Sequence, residues 1–410
     1  MPRVFRSLLL SFFFLVLVFG NGSAQTTQTP AKSINARPVE IPFELISKHI
    51  FLKIKVDNSR PLTFIFDTGD QVAIIDMERA RELGLRLEGE LKVGGVGPNK
   101  LTGAYVKGSS FTLPGLEGFS QPVRIALPLG RMAPKIGHDI DGIVGSEFIR
   151  QFVVEVDYQA NVIRLHDKDT FVYSGNGQAI PISLNSAGYP IIEAEVTPEG
   201  DDPAKGKFVL DLGAGGSLAL HSPFVAAHSL PRPETKTIVA QGVGGAGGEA
   251  TGRFGRVASL KIGRFTFDRP LTLFSQDTAG AAANSVLVGN IGYQIASRFK
   301  LFLDYGHQQI YFEPNAKISE KFERAVSGIQ IHADGANYQT FRILKILDNS
   351  PAAEAGLQQE DIIEAVDSIP ASKLTVTKIA DIFERSGTYK LTVRRGEQLL
   401  QVQLKTRQMI

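Results

Sequence analysis

Two short stretches of this 410-residue chain place carboxylates where a carboxylate is expensive. Phe64 to Ile75 reads Phe-Ile-Phe-Asp-Thr-Gly-Asp-Gln-Val-Ala-Ile-Ile. An apolar run delivers Asp67 to a turn of Thr68, Gly69 and Asp70, and a second apolar run leaves it. Phe208 to Leu220 repeats the plan around Asp211, Leu212, Gly213 and Ala214. Burying an ionised carboxyl group without compensation is costly, so each aspartate calls for a purpose. Asp67 and Asp211 lie 144 residues apart (67 to 211), far beyond the period of a solenoid, and the spacing reads as duplication of a whole lobe. Two carboxyls carried on equivalent turns can meet where the lobes face each other. There they cannot both ionise readily, so one proton is shared and the pair titrates as a unit. Such a pair supplies a general acid and a general base in one place.

The elements that must position these turns also recur. Val286-Leu287-Val288-Gly289 answers Ile143-Val144-Gly145 at the same offset, and Asp304-Tyr305 answers Asp157-Tyr158 at an offset of 147 (157 to 304). After the first turn Asp76 caps a short helix that stops at Gly84; after the second, Ser222 and Pro223 open another. Gly94, Gly95, Val96 and Gly97 interrupt one strand pair, and Gln241 to Gly248, with Gly242, Val243, Gly244 and Gly245, interrupts its counterpart. Both stretches read as mobile hairpin tips. Gly242 to Gly247 also fits G-x-G-x-x-G, but the glycines that follow break any helix, so a dinucleotide loop is not the reading. His138-Asp139-Ile140-Asp141 reads as a solvated loop rather than a metal motif, and His221 as a helix-entry residue.

Composition bounds the rest. The chain opens with Arg3 and Arg6, an apolar stretch from Leu8 to Phe19 and the small residues Gly22-Ser23-Ala24. This is the layout of a secretory signal, residues 1–24, cut after Ala24, with an uncleaved anchor as the alternative. A secreted or periplasmic location is expected, with a flexible leader over 25–40. Lys and Arg number 44 against 42 Asp and Glu, which points to neither nucleic acid nor an anionic membrane surface. With no cysteine, disulfides and thiol nucleophiles are excluded. No cofactor or metal is called for. The 41 glycines, 21 prolines and many short apolar runs predict mainly β structure joined by turns.

A charged segment at 315–325 reads as a linker to a compact unit at 326–405. There Tyr338 to Leu347 predicts a strand, Ser350 to Gly356 a Ser-capped helical turn, Asp361 to Val366 a strand and Val376 to Phe383 a helix. A hairpin around Arg395-Gly396 closes the unit.

On these motifs residues 41 to 314 resemble the aspartic proteases of the pepsin and retropepsin superfamily. Asp67-Thr68-Gly69 matches the catalytic triplet, and Asp141 to Gly145 the hydrophobic-hydrophobic-glycine element beneath it. The second copy matches through Asp211 to Ala214 and Leu287 to Gly289. Residues 326 to 405 resemble a bacterial PDZ domain, chiefly through Ser350-Pro-Ala-Ala-Glu-Ala-Gly-Leu357 and Asp361-Ile-Ile363. The resemblance implies two tandem retropepsin-like β-barrel lobes, 41–172 and 173–314, related by a pseudo-twofold axis, followed by an α+β PDZ-like domain. It implies catalysis by Asp67 and Asp211, turn support from Thr68, Gly69, Asp70, Leu212, Gly213 and Ala214, and substrate flaps at the two glycine-rich tips. The substrates implied are peptides or proteins, with a peptide C-terminus captured near Tyr338, Phe341 and Ile343. Three positions depart from the pattern. Leu212 replaces a threonine whose hydroxyl would brace the lobes, Asp70 stands where a small or hydroxyl residue is usual, and Glu360 where glycine is common. An extra carboxylate beside the pair raises its apparent pKa unless a base neutralises it, which sets an expected optimum of about pH 5 to 7. A catalytically silent peptide-binding protein, and a dimer pairing lobes from two chains, remain as alternatives.

Overall fold

The computed structural model describes residues 37–95, 99–240, 244–245, 248–322 and 325–410. The proposed signal, most of the leader, and Val96, Gly97, Gly242 and Val243 of the glycine-rich tips lie outside the described residues. The architecture is mainly β, with short helices at the strand connections.

Each aspartate turn is built around a crossing strand. Leu62–Phe66, which leads to Asp67, runs parallel to Gly142–Val144, with Phe64 opposite Gly142; Gly142–Val144 in turn lies antiparallel to Ile74–Asp76, which leaves the turn. In the second half Ala204–Leu210 runs parallel to Gly289–Ile291, with Phe208 opposite Gly289, and Gly289–Ile291 lies antiparallel to Leu218–Leu220. A strand hemmed in on both sides and both faces is largely apolar. Phe64, Ile65 and Phe66 are fully buried, as are Phe208 and Leu210. The next strands out also correspond: Ile125–Leu127 runs parallel to Ile74–Asp76, and Leu271–Ser275 parallel to Leu218–Leu220.

This register corrects one equivalence drawn from the sequence. Gly142 and Gly289 hold the same place, an offset of 147, so Gly289-Asn290-Ile291-Gly292 answers Gly142-Ile143-Val144-Gly145. Gly145 and Gly292 each precede a short helix, Ser146–Ile149 and Tyr293–Ala296. Val286-Leu287-Val288 lies before the crossing strand, and Val286 is 75% exposed. The second half has three more residues between its aspartate and its crossing strand, which shifts the offset from 144 to 147.

The halves join through antiparallel Val153–Asp157 and Phe299–Asp304, where Glu155 stands opposite Phe302, again 147 residues away. Val162–His166 and Gln309–Pro314 flank that pair; Val39–Pro42 closes the edge beside the first, and Gln178–Leu184 continues the sheet from the second into Pro190–Thr197. Asp76 caps the helix Met77–Glu82 by accepting from the Glu78 and Arg79 N–H groups. The helix Ser222–Ala227 is preceded by His221 as its N-cap residue rather than Ser222, whose hydroxyl donates to the carbonyls of Asp277 and Ala282 instead.

Beyond residue 325 a further sheet runs in the order Ile329–Asp334, Thr340–Ile346, Ile362–Val366, Gly387–Arg395, Gln398–Thr406, with helices Pro351–Glu354 and Val376–Phe383. Alternation along Thr340–Ile346 turns Phe341 and Ile343 inward, where both are fully buried in the core of this unit. They cannot line a peptide groove. Tyr338 sits in the preceding turn and donates its hydroxyl to Asp139 Oδ1 of the first half at 2.6 Å. The cleft beside this unit, about 160 Å³, instead lies between Ile329, Ile331, Val376 and Phe383 on one wall and Ile238 and Phe254 on the other. Across it the Ser47 N–H donates to Thr377 Oγ1 at 2.9 Å, and Lys48 pairs with Glu384 at 2.8 Å. Glu360 takes a left-handed φ of 71°, its N–H donating to the Ile343 carbonyl at 2.8 Å and its carboxylate meeting Arg342 at 3.2 Å. Among the described residues no helix is long and apolar enough to cross a membrane.

Candidate active site

The crossing strands fix the backbone of both aspartates. The Asp67 N–H donates to the Val144 carbonyl at 3.0 Å, and the Asp211 N–H to the Ile291 carbonyl at 2.8 Å. Each carboxyl then folds back on its own turn: Asp67 Oδ1 accepts from the Gly69 N–H at 2.7 Å and Asp211 Oδ1 from the Gly213 N–H at 3.0 Å. The Asp70 and Ala214 N–H groups close the turns by donating to the carbonyls of Asp67 and Asp211, at 3.4 and 3.3 Å. The two carboxyl groups face each other closely: a Cβ built on Gly69 would lie 3.1 Å from an oxygen of each, and one on Gly213 would overlap the Asp67 carboxyl.

Close approach explains the glycines. A Cβ on Gly213 would fall within the envelope of the Asp67 carboxyl, and one on Gly69 would lie 3.1 Å from Asp211 Oδ1. Thr68 ties the turns together from the first half. Its Oγ1 donates to the Leu210 carbonyl at 2.7 Å and accepts from the Leu212 N–H at 2.9 Å. Leu212 is fully buried and its side chain has no hydroxyl to return, so the brace is one-sided.

Burial dominates the electrostatics. It pushes Asp67 up from 3.8 to about 6, against the pull of the Gly69 N–H, the Asp211 carboxyl and the Gly213 N–H. Asp211 is raised well above the ordinary carboxylate value too, by burial first and then by Asp67; an amide from Asn290 opposes this and the charge of Asp70 adds to it. Both carboxyls are thus pushed up together, and the pair titrates as a unit that holds one proton above the ordinary carboxylate range. Asp70 is 3% exposed. Tyr189, fully buried, has its phenol raised by burial and then by Asp70, Asp67 and Asp211.

The structure thus brings Asp67, Thr68, Gly69, Asp70, Leu212, Gly213, Ala214 and Asp211 together, while Phe341 and Ile343 belong to the separate C-terminal sheet and Tyr338 to the turn before Thr340–Ile346. Gly94 and Gly95 sit at the tip between Arg86–Val93 and Leu101–Lys107, and Gly244 and Gly245 pair with Gly248 and Glu249 in the tip between Ile238–Ala240 and Gly252–Arg256. Both tips touch the opposite half: the Ala281 N–H donates to the Gly95 carbonyl at 3.2 Å, and Lys135 meets Glu249 at 3.4 Å. Asp67 and Asp211 are 1% and 0% exposed. Sequence reasoning missed Asn290, whose amide meets Asp211, and Tyr189. The offset of 147 at Asp304-Tyr305, carried back to the crossing strand, would have found Asn290.

Residues 52–148, which include Asp67 but not Asp211, match a family model described as aspartyl protease. A search of curated proteins finds no match. Among solved structures the chain is similar to a photosystem II D1 C-terminal processing protease at 20% identity, over 21% of this chain and 23% of that one, with a TM-score of 0.19. It is also similar to an aspartic proteinase from Irpex lacteus at 11% identity, over 69% of this chain and 99% of that one, with a TM-score of 0.43. The chain spans under a quarter of the first of these proteins. The family match over 52–148 spans the first Asp-Thr-Gly turn and the crossing strand beneath it.

Proposed function

We propose that this protein is an exported aspartic endopeptidase built from two lobes related by a pseudo-twofold axis, cutting peptide bonds with a water activated between Asp67 and Asp211. The observation that carries the reading is the close approach of two buried carboxyls, each held by the N–H two residues on. The ionised Asp67 takes a proton from water as the oxygen attacks the peptide carbonyl carbon, while Asp211 gives its proton to the carbonyl oxygen. Collapse of the tetrahedral intermediate breaks the C–N bond. The proton taken by Asp67 goes to the leaving nitrogen, and the hydroxyl proton returns to Asp211. No covalent intermediate is required. The glycine-rich tips act as flaps that admit substrate and then exclude water. The C-terminal unit is PDZ-like and recruits peptide or protein substrates.

A second reading, a silent peptide-binding protein in the same fold, draws on Leu212 and on the near-complete burial of both carboxyls. One experiment separates them: a diverse peptide library incubated with the mature chain and with its Asp67→Asn and Asp211→Asn forms. Cleavage abolished in both variants supports the endopeptidase. Binding without cleavage at every pH supports the silent protein.

A further inference from the structure

The two carboxyls are not held alike. At the crossing strand the first half has Ile143, which has no donor, and the second has Asn290. Asn290 is 1% exposed and its Nδ2 donates to Asp211 Oδ2 at 3.2 Å, on the oxygen that the Gly213 N–H leaves open. Its Oδ1 lies 2.9 Å from Nε2 of His221, itself 2% exposed. An amide has a donor end and an acceptor end, and only its neighbours decide which faces where. A proton on His221 Nε2 fills the acceptor end of Asn290, so the NH₂ end is left for Asp211. The other ring nitrogen, Nδ1, faces the Asn284 carbonyl at a longer 3.3 Å. A buried histidine and a buried asparagine spent on each other and on one carboxyl are costly unless the arrangement is used.

We propose that Asn290, oriented by His221, is a positioning residue for the pair: it holds the outer oxygen of Asp211 and sets the upper end of the pH range over which the two carboxyls share one proton. The inference rests on the reading of Asp67 and Asp211 as the acid and base of a hydrolase. A donor to the ionised form of a carboxyl makes ionisation easier. Asn290 therefore acts against burial, against the charges of Asp67 and Asp70, and in the company of the buried phenols of Tyr189 and Tyr305. Among the described residues no side-chain amide meets Asp67, which keeps the surroundings of the two carboxyls distinct.

The test is a carboxyl-¹³C titration of the mature chain labelled at aspartate, with Asp67 and Asp211 assigned by their Asn variants, alongside the pH profile of kcat/KM. In Asn290→Ala and Asn290→Ile, the latter copying the first half, the Asp211 titration is expected to rise by about one pH unit, roughly tenfold in its ionisation constant, with Asp67 moving less. His221→Phe, which frees the amide to turn, is expected to give a smaller shift in the same direction, and the alkaline limb of kcat/KM to follow. A purely structural role would lower stability and leave the titration in place. An Asp211 titration unmoved in folded Asn290 variants overturns the proposal. If neither Asn290 variant folds, His221→Phe decides by the same shift or its absence. A shifted titration in a chain that cleaves nothing retires the hydrolase reading and leaves this one standing.

Discussion

Replacing Asp67 by asparagine should abolish cleavage and yet make the protein more stable at neutral pH. Asp67 is 1% exposed, and burial raises its carboxyl from 3.8 to about 6. A group whose folded pKa lies above its unfolded value contributes stability in full below the unfolded pKa, and that contribution is lost as pH rises through the folded pKa. The window here runs from about 4 to about 6. At 1.36 kcal/mol per unit, holding Asp67 ionised at pH 7 costs the fold about 3 kcal/mol relative to the protonated form. Asparagine removes that charge while keeping an oxygen for the Gly69 N–H and a donor for Asp211, so Asp67→Asn should gain about 1 to 3 kcal/mol at pH 7. The gain should vanish below about pH 4, where both proteins are neutral at this position. Denaturant midpoints of wild type and variant at pH 4 and pH 7 measure it. A variant less stable than wild type at pH 7, or a difference that does not change with pH, would refute the electrostatic reasoning.

Gly213→Ala should be far more damaging than Gly69→Ala, because its methyl group would strike the Asp67 carboxyl while that of Gly69 has 3.1 Å to Asp211; relative kcat/KM of the two variants gives the ranking. Thr68→Val removes the hydroxyl that joins Leu210 to Leu212 across the two halves and should cost about 1 to 3 kcal/mol, read from the denaturation midpoint. Phe341→Ala should destabilise the C-terminal sheet by about 3 to 5 kcal/mol through the cavity it leaves, seen as faster amide exchange in residues 326–407; weaker peptide binding at unchanged exchange would contradict its place in the core.

What the sequence revealed follows from how local each signal is. Asp67 and Asp211 stand out because apolar runs on both sides make a turn aspartate anomalous within a dozen residues. The crossing strand is a long-range feature, and two things hid its second copy. Three extra residues displaced it from the offset set by the aspartates, and Asn290 broke the apolar pattern that marks Ile143 and Val144. The loop Val286-Leu287-Val288 satisfied that pattern by composition alone. Alternation marked Phe341 and Ile343 as facing one side of a strand, but period alone does not say whether that side meets a ligand or the core. At the second helix entry Ser222 has the composition of a cap, yet its hydroxyl is spent on the carbonyls of Asp277 and Ala282, leaving His221 at the boundary with its ring turned toward Asn290.

The central claim is that two buried carboxyls activate water by sharing one proton, and the pH dependence of kcat/KM on a single cleaved peptide tests it most directly. With Asp67 raised to about 6, cleavage should climb tenfold per pH unit on the acid side, level off near pH 6 and be lost in both asparagine variants. A maximum near pH 3, or cleavage that survives Asp211→Asn, would contradict it.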